Sequence, residues 1–485
     1  MKVSEALHRA GEHLAAGRTA EAEPLYRRVL AASPNHPRAL AGLGVVALRT
    51  GHLKEAIDLL RRATAKDPAD VESRAALAEA LYRDGQKSEG ESLFGELLAR
   101  DPDCLAAINR FSAALYLAGE YERAESLVRR AIELAPDWYL LRRRMGTLLV
   151  ALSRPREAVE HLRRAIELEP EDADAHMALG QALMFTGDFA NAFRETEWRW
   201  KLPGESYPDV SCPRWDGRIE RGKMLLIFGE EGYGDVIQFS GFLPALVATG
   251  INVVLSARPA LGPLLRSLRG VRVAKSGDPI LEADYHLPLL SLPLVMNWPI
   301  EIVGRATPYL TAERSLVDAW RERLGPRARL RVGIAWAGNP GHQNDAERSI
   351  ALSALTPLAS AAPGIELHSL HVTAESSASI ASGELCVRDH AQLLRDFADT
   401  AALISNLDLI VSVDTSVAHL AGALRRPVWL MLAHPPDGRW MLGRSDTPWY
   451  PTMRLFRQKR PGAWMQVIEE VGAELRAFKP PPPAP

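Results

Sequence analysis

Three short segments hold residues whose types and spacing could do chemistry, and each follows an apolar run of strand length. The first, Gly229-Glu230-Glu231-Gly232-Tyr233-Gly234-Asp235, comes directly after Met224–Phe228. Glycines at such a place let backbone approach a ligand closely. Asp235 opens the helical stretch that follows, where it is either the helix cap or a carboxylate turned to a ligand. The segment is not a dinucleotide fingerprint, because Gly-x-Gly-x-x-Gly is absent, and no Gly-Lys-Ser/Thr follows it. The second runs from Trp336 to Ile350, a long polar loop containing His342, Gln343, Asn344 and Arg348. Arg348 is suited to bidentate contact with a phosphate, or to an ion pair on a surface loop. The third is Asp414-Thr415-Ser416-Val417-Ala418-His419-Leu420, placed straight after the apolar run Leu407–Val413. A helix starting there offers free N–H groups and the positive end of its dipole to an anion. The plainer alternative makes Asp414 a cap and His419 a packed core residue.

The elements that must position these segments alternate between strand and helix. Besides Met224–Phe228, strand candidates are Asn252–Ser256, Val271–Ala274 and Tyr285–Leu287. After a break around Trp298–Arg329 the texture restarts with Leu330–Trp336, Ile365–Leu370, Leu385–Arg388, Leu407–Val413 and Pro427–Leu432. Strands alternating with helices predict parallel sheets covered on both faces, here two doubly wound domains with ligands at the strand carboxyl ends.

The first two hundred residues differ in kind. Pro34, Pro68, Pro102, Pro136 and Pro170 recur every 34 residues, as do Gly17, Gly51, Gly85, Gly119, Ser153 and Gly187. Ala22, Ala56, Gly90, Ala124, Ala158 and Ala192 keep the same register, and so do Ala10, Gly44, Ala78, Ser112, Gly146 and Gly180. The small residues let two antiparallel helices approach, the glycine takes the positive φ that ends the first helix, and the proline ends the second. This looks like a tetratricopeptide array of about six repeats, the last degenerate. Arg110, Arg142, Arg143 and Arg144 fall on the first helices of their pairs. They form either a solvated charged face or a surface that recruits an acceptor.

Where the array stops, Trp198-Arg199-Trp200 and Pro213-Arg214-Trp215 suggest a packed joint, since a flexible tether would be rich in Gly and Ser. The expected organisation is an array over 1–205, a linker over 206–220, one α/β domain over 221–320, a second over 321–478 and a disordered Pro-rich tail over 479–485. With 58 Lys+Arg against 60 Asp+Glu the net charge is −2, which gives no reason to expect nucleic acid or anionic lipid as a partner. The three cysteines, Cys104, Cys212 and Cys386, are scattered without a Cys-x-x-Cys, so neither a disulfide framework nor a cysteine metal site is expected. No apolar run is long enough for a membrane span, and Met1–Glu5 lacks the apolar core of a signal peptide. A soluble, cytoplasmic protein is the expectation.

Gly229–Leu246, Gly333–Leu352 and Asp408–Leu432 together resemble the bacterial heptosyltransferase-type glycosyltransferases of family nine, in particular members with tetratricopeptide arrays in front. The joint Glu197–Trp200 and Pro213–Gly217 fits the same group. The resemblance implies an α-solenoid followed by a GT-B fold of two Rossmann-like domains, acting as an inverting, metal-independent glycosyltransferase with no cofactor beyond its nucleotide-sugar co-substrate. It implies Asp235 as general base, with Gly232, Gly234 and Gln238 in the loop near the acceptor. It places Asn339, Arg348, Asp414, Thr415, Ser416, Val417 and His419 around the donor. Bacterial cytoplasm is the expected location, and in the leading reading the array recruits a protein acceptor, a surface or appendage protein such as flagellin for example. Arg348 stands where close heptosyltransferases have Lys, which argues against ADP-heptose as donor. Arrays fused to protein O-linked N-acetylglucosamine transferases line their groove with asparagines; the equivalent positions here are His8, Gly42, Ala76, Arg110, Arg144 and Ala178, so that ladder is absent. Two other readings stand beside the leading one: a transferase acting on lipopolysaccharide or another glycan, and a scaffold with a vestigial transferase domain.

Overall fold

The computed structural model describes residues 2–230, 232–275, 277, 283–341, 345–361, 364–383 and 385–479. Glu231, the loop residues His342, Gln343 and Asn344, and tail residues 480–485 lie outside the described residues. The chain forms two compact units, Met1–Leu179 and Gly180–Pro485. The boundary lies earlier than the 205/206 junction expected from the repeat, because the last helix pair contributes Phe189 and Phe193 to the core of the α/β unit.

The first unit is built of helix pairs, beginning with Val3–Ala15 and Thr19–Ala32 and continuing through Tyr139–Ala151 and Pro155–Leu168. The repeat has the physical basis its spacing suggested. All six turn positions have positive φ, including Ser153 at 58°, the one residue of the set that is not glycine. Each repeating proline stands two residues beyond the end of a second helix, as Pro34 does after Ala32 and Pro170 after Leu168. A Cβ on Gly146 would lie 2.3 Å from Leu162 and one on Gly44 2.7 Å from Leu60, so these helices touch where only hydrogen fits.

The second unit holds two parallel sheets. In the first, β1 (Met224–Phe228), β2 (Asn252–Ala257), β3 (Val271–Lys275) and β4 (Tyr285–Pro288) lie in the order β3-β2-β1-β4. In the second, β5 (Leu330–Ala335), β6 (Ile365–Ser369), β7 (Val387–Arg388), β8 (Leu409–Val413), β9 (Val428–Leu432) and β10 (Met453–Arg457) lie in the order β10-β9-β8-β5-β6-β7. Strand order reverses beside β1 in the first sheet and between β5 and β8 in the second, which is where a parallel sheet opens a crevice at its carboxyl edge. Along β8, Leu409, Val411 and Val413 join one hydrophobic cluster while Ile410 joins the other, so both faces are covered. The joint expected from its aromatics packs tightly: Trp215 is buried, and its backbone N–H bonds to His286 on β4.

Candidate functional site

All three chemistry-bearing segments leave the carboxyl ends of β1, β5 and β8, the strands at the reversals. After β1 the chain enters a helix, Tyr233–Phe239, whose cap is Gly232 and not Asp235. Asp235 lies in its first turn, and a Cβ on Gly232 would come within 2.3 Å of its Oδ2. Glycine at 232 therefore leaves room for the carboxylate. A Cβ on Gly234 would meet His419 at 2.9 Å, so glycine at 234 lets this helix settle against Ser416–Ala423, the helix after β8.

Asp235 faces a guanidinium from the other sheet. Arg439 Nη1 donates to Asp235 Oδ1 at 2.7 Å and to Gln238 Oε1 at 2.8 Å, and Arg439 Nε donates to Asp437 Oδ1 at 3.0 Å. Gln238 is fully buried, and its Nε2 has no partner among the described residues. Burial disfavours the Arg439 charge, but Asp437, Asp235 and Asp414 outweigh it and hold the group well above its usual range. Asp437, although exposed, has its carboxyl desolvated, but the charge and hydrogen bonds of Arg439 outweigh this and hold it low.

On the β8 side, the helix Ser416–Ala423 is entered through Thr415, whose side chain does not cap it and instead lies 3.2 Å from Ser412 Oγ. The first N–H groups, at Ser416 and Val417, have no acceptor within the helix. Asp414 is no cap either: its Oδ2 accepts the indole N–H of buried Trp440 at 2.8 Å. Burial, helped by Asp437, pushes its carboxyl up to about 6. Arg348 Nη1 donates to the Asp414 carbonyl at 3.2 Å and Arg348 Nε to Asp345 at 3.2 Å, which sets the guanidinium beside the helix start. His419 is buried, stacked on Trp440 at 5.4 Å and hydrogen-bonded to Tyr450 at 3.0 Å. Burial, with Arg439 adding to it, pushes the imidazole down to about 3, so it is neutral near pH 7.

The structure thus brings together Asp235, Gln238, Arg348, Asp414, Thr415, Ser416, Val417 and His419. Asn339 stands apart: it is exposed, and its side-chain oxygen accepts the N–H of Gly341 in a local turn. In the array, Arg110 pairs with Glu79 at 2.9 Å, and Arg143 pairs with Asp172 at 2.7 Å and Asp174 at 3.0 Å. Arg144 binds Asn109 and Ser112, and burial pushes it down to about 10. These three arginines tie neighbouring repeats together.

Sequence reasoning missed Asp437, Arg439, Trp440 and Tyr450. A signal existed, since Asp437-Gly438-Arg439-Trp440 follows β9 as the other segments follow their strands.

A solenoid of helix pairs joined to parallel α/β sheets defines the class, and comparison with known proteins sharpens it. Residues 13–80, 47–115 and 143–201 match family models described as Tetratricopeptide repeat. Residues 394–445 match the model described as Glycosyltransferase family 9 (heptosyltransferase). The chain therefore carries tetratricopeptide repeats followed by a segment of the glycosyltransferase family 9 type. Protein FlbA of Caulobacter vibrioides is 26% identical over 310 residues, covering 58% of this chain and 49% of the relative, so the match spans about half that protein. Among solved structures, a human IFIT1 dimer with m7Gppp-AAAA aligns at 21% identity over 41% of this chain and 50% of that one, with a TM-score of 0.37. A thermophilic TPR protein of Thermus thermophilus aligns at 24% identity over 38% of this chain and 100% of that one, with a TM-score of 0.34. No helix among the described residues is long and apolar enough to cross a membrane.

Proposed function

We propose that the chain is an inverting glycosyltransferase of GT-B type that moves a sugar from a nucleoside-diphosphate sugar to an acceptor hydroxyl, its repeat array recruiting a protein that carries the hydroxyl. One observation carries this reading: a carboxylate from one sheet and an anion-ready helix start with flanking arginines from the other converge on one crevice. In the reaction Asp235 takes the proton as the acceptor oxygen bonds to the anomeric carbon. The bond from that carbon to the diphosphate breaks on the opposite face, so configuration inverts. The departing diphosphate is stabilised by the N–H groups of Ser416 and Val417 and by Arg348. Asp414, half-buried beside that helix start, fixes the turn through Trp440. Positive charge for the leaving group comes from the protein, so no metal ion is required.

The test is a thermal-shift panel of the purified chain with ADP, UDP, GDP and CMP and their common sugar conjugates. A ligand at a hundred times its dissociation constant should stabilise the fold by about 2.7 kcal/mol, a shift of a few degrees. One responding nucleotide, lost in Arg348→Ala, is the expected result. No response from folded protein sinks the donor assignment. A mass increase on a co-purified protein supports the acceptor class, whereas altered lipopolysaccharide mobility without it moves the acceptor to a glycan.

A further inference from the structure

The ion pair between Asp235 and Arg439 creates a difficulty for that reading and also suggests its answer. Asp235 Oδ1 accepts from Arg439 Nη1 at 2.7 Å, so one of its two carboxylate oxygens is engaged by a cation and would have to share its lone pairs with an incoming hydroxyl. Arg439 in turn is bound at Nη1 and Nε, while Nη2 has no hydrogen-bond acceptor among the described residues. The guanidinium lies among Asp235, Asp437 and Asp414, one fixed cation facing three carboxyl groups. Its loop also carries Trp440, whose indole binds Asp414 directly ahead of the Ser416–Ala423 helix start. A planar fork with an open edge is the geometry that takes a phosphate oxygen. Gln238, buried with an unpartnered Nε2, already shares Nη1 with Asp235 and stays in place to receive a neighbour if that bond is given up.

We propose that Arg439 exchanges partners, leaving Asp235 Oδ1 for the diphosphate when a nucleoside diphosphate or its sugar conjugate binds, which frees that oxygen for the acceptor. This rests on the nucleotide-sugar reading above and adds to it an ordering, in which Oδ1 is released from its cation only on a chain already holding donor. The diphosphate brings at least two negative charges to a place where each nearby arginine already has a carboxylate. Exchange lets the cation meet that charge without a new one being recruited.

The test measures affinity for the nucleoside diphosphate that responds in the panel, by calorimetric titration of the full chain and of Arg439→Gln, Asp235→Asn, the double variant and Arg348→Gln. Exchange predicts about ten- to a hundredfold weaker binding in Arg439→Gln. Asp235→Asn should bind several-fold more tightly, because Arg439 is released from its competitor, and the double variant should lose that gain. If Arg439→Gln fails to fold, Arg439→Lys and the near-isosteric Asp235→Asn decide the matter. Unchanged affinity in Asp235→Asn, with Arg348→Gln weakened, overturns the exchange and leaves the nucleotide-sugar reading standing. A parent chain that binds no nucleoside diphosphate overturns both.

Discussion

Trp440 donates its indole N–H to Asp414 at 2.8 Å while its ring lies against His419, so one buried side chain fixes both ionisable groups of the β8 turn. The two groups respond to pH in opposite senses. Asp414 is pushed up to about 6, so the folded state binds its proton more tightly than the unfolded chain, and stability falls as pH rises from about 4 to about 6. His419 is pushed down to about 3, so the unfolded chain binds its proton more tightly, and stability falls as pH drops below about 6.5.

Asp414→Asn should therefore gain on the parent as pH is raised from 4.5 to 7, by about 2–3 kcal/mol at most. His419→Phe should gain on it as pH is lowered over the same range. Denaturant unfolding at several pH values checks both, and slopes of the opposite sign would show that burial does not govern these groups.

Arg348 holds its place through Asp345 and the Asp414 carbonyl. Arg348→Gln is expected to weaken nucleotide binding about tenfold or more. Arg348→Lys should recover only part of this, because an ammonium cannot span two phosphate oxygens. Titration calorimetry reads the difference.

Gly232→Ala puts a methyl 2.3 Å from Asp235 Oδ2. Turnover should fall by about a hundredfold, with thermal stability little changed, since the residue is an exposed helix cap. Equal turnover in the variant would separate Asp235 from the chemistry.

In the array, Gly146→Ala drives a methyl into Leu162. The strain, partly offset by better helix propensity, should cost about 1–2 kcal/mol. Urea unfolding followed by far-UV circular dichroism measures it.

On the proposed chemistry activity should survive EDTA, because arginines and a helix start would supply the positive charge that faces the leaving group. Complete loss, restored by Mg²⁺, would contradict the proposed chemistry.

How much of this was legible depends on how local each signal is. The turn positions ending at Gly187 and the apolar runs of β1, β5, β8 and β9 are written in neighbouring residues, and all took the expected form. β10 escaped notice because Met453-Arg454-Leu455-Phe456-Arg457 mixes cations into a short run that only the β9 edge explains. Asp235 read equally well as a cap until its partner appeared, and that partner lies 204 positions away. The arginines on the array helices read equally well as a recruiting face or a solvated one. Their ion pairs with Glu79, Asp172 and Asp174 were invisible to a pattern that tracks only apolar and small residues.

Phe189 and Phe193, on the final helix of the array, lie edge-on against Trp449 and Phe239 in the core of the α/β unit. That helix is therefore a fixed terminus, and in arrays of this kind each repeat is held mainly by its immediate neighbours. Insertion or loss of whole 34-residue modules upstream would leave the crevice untouched.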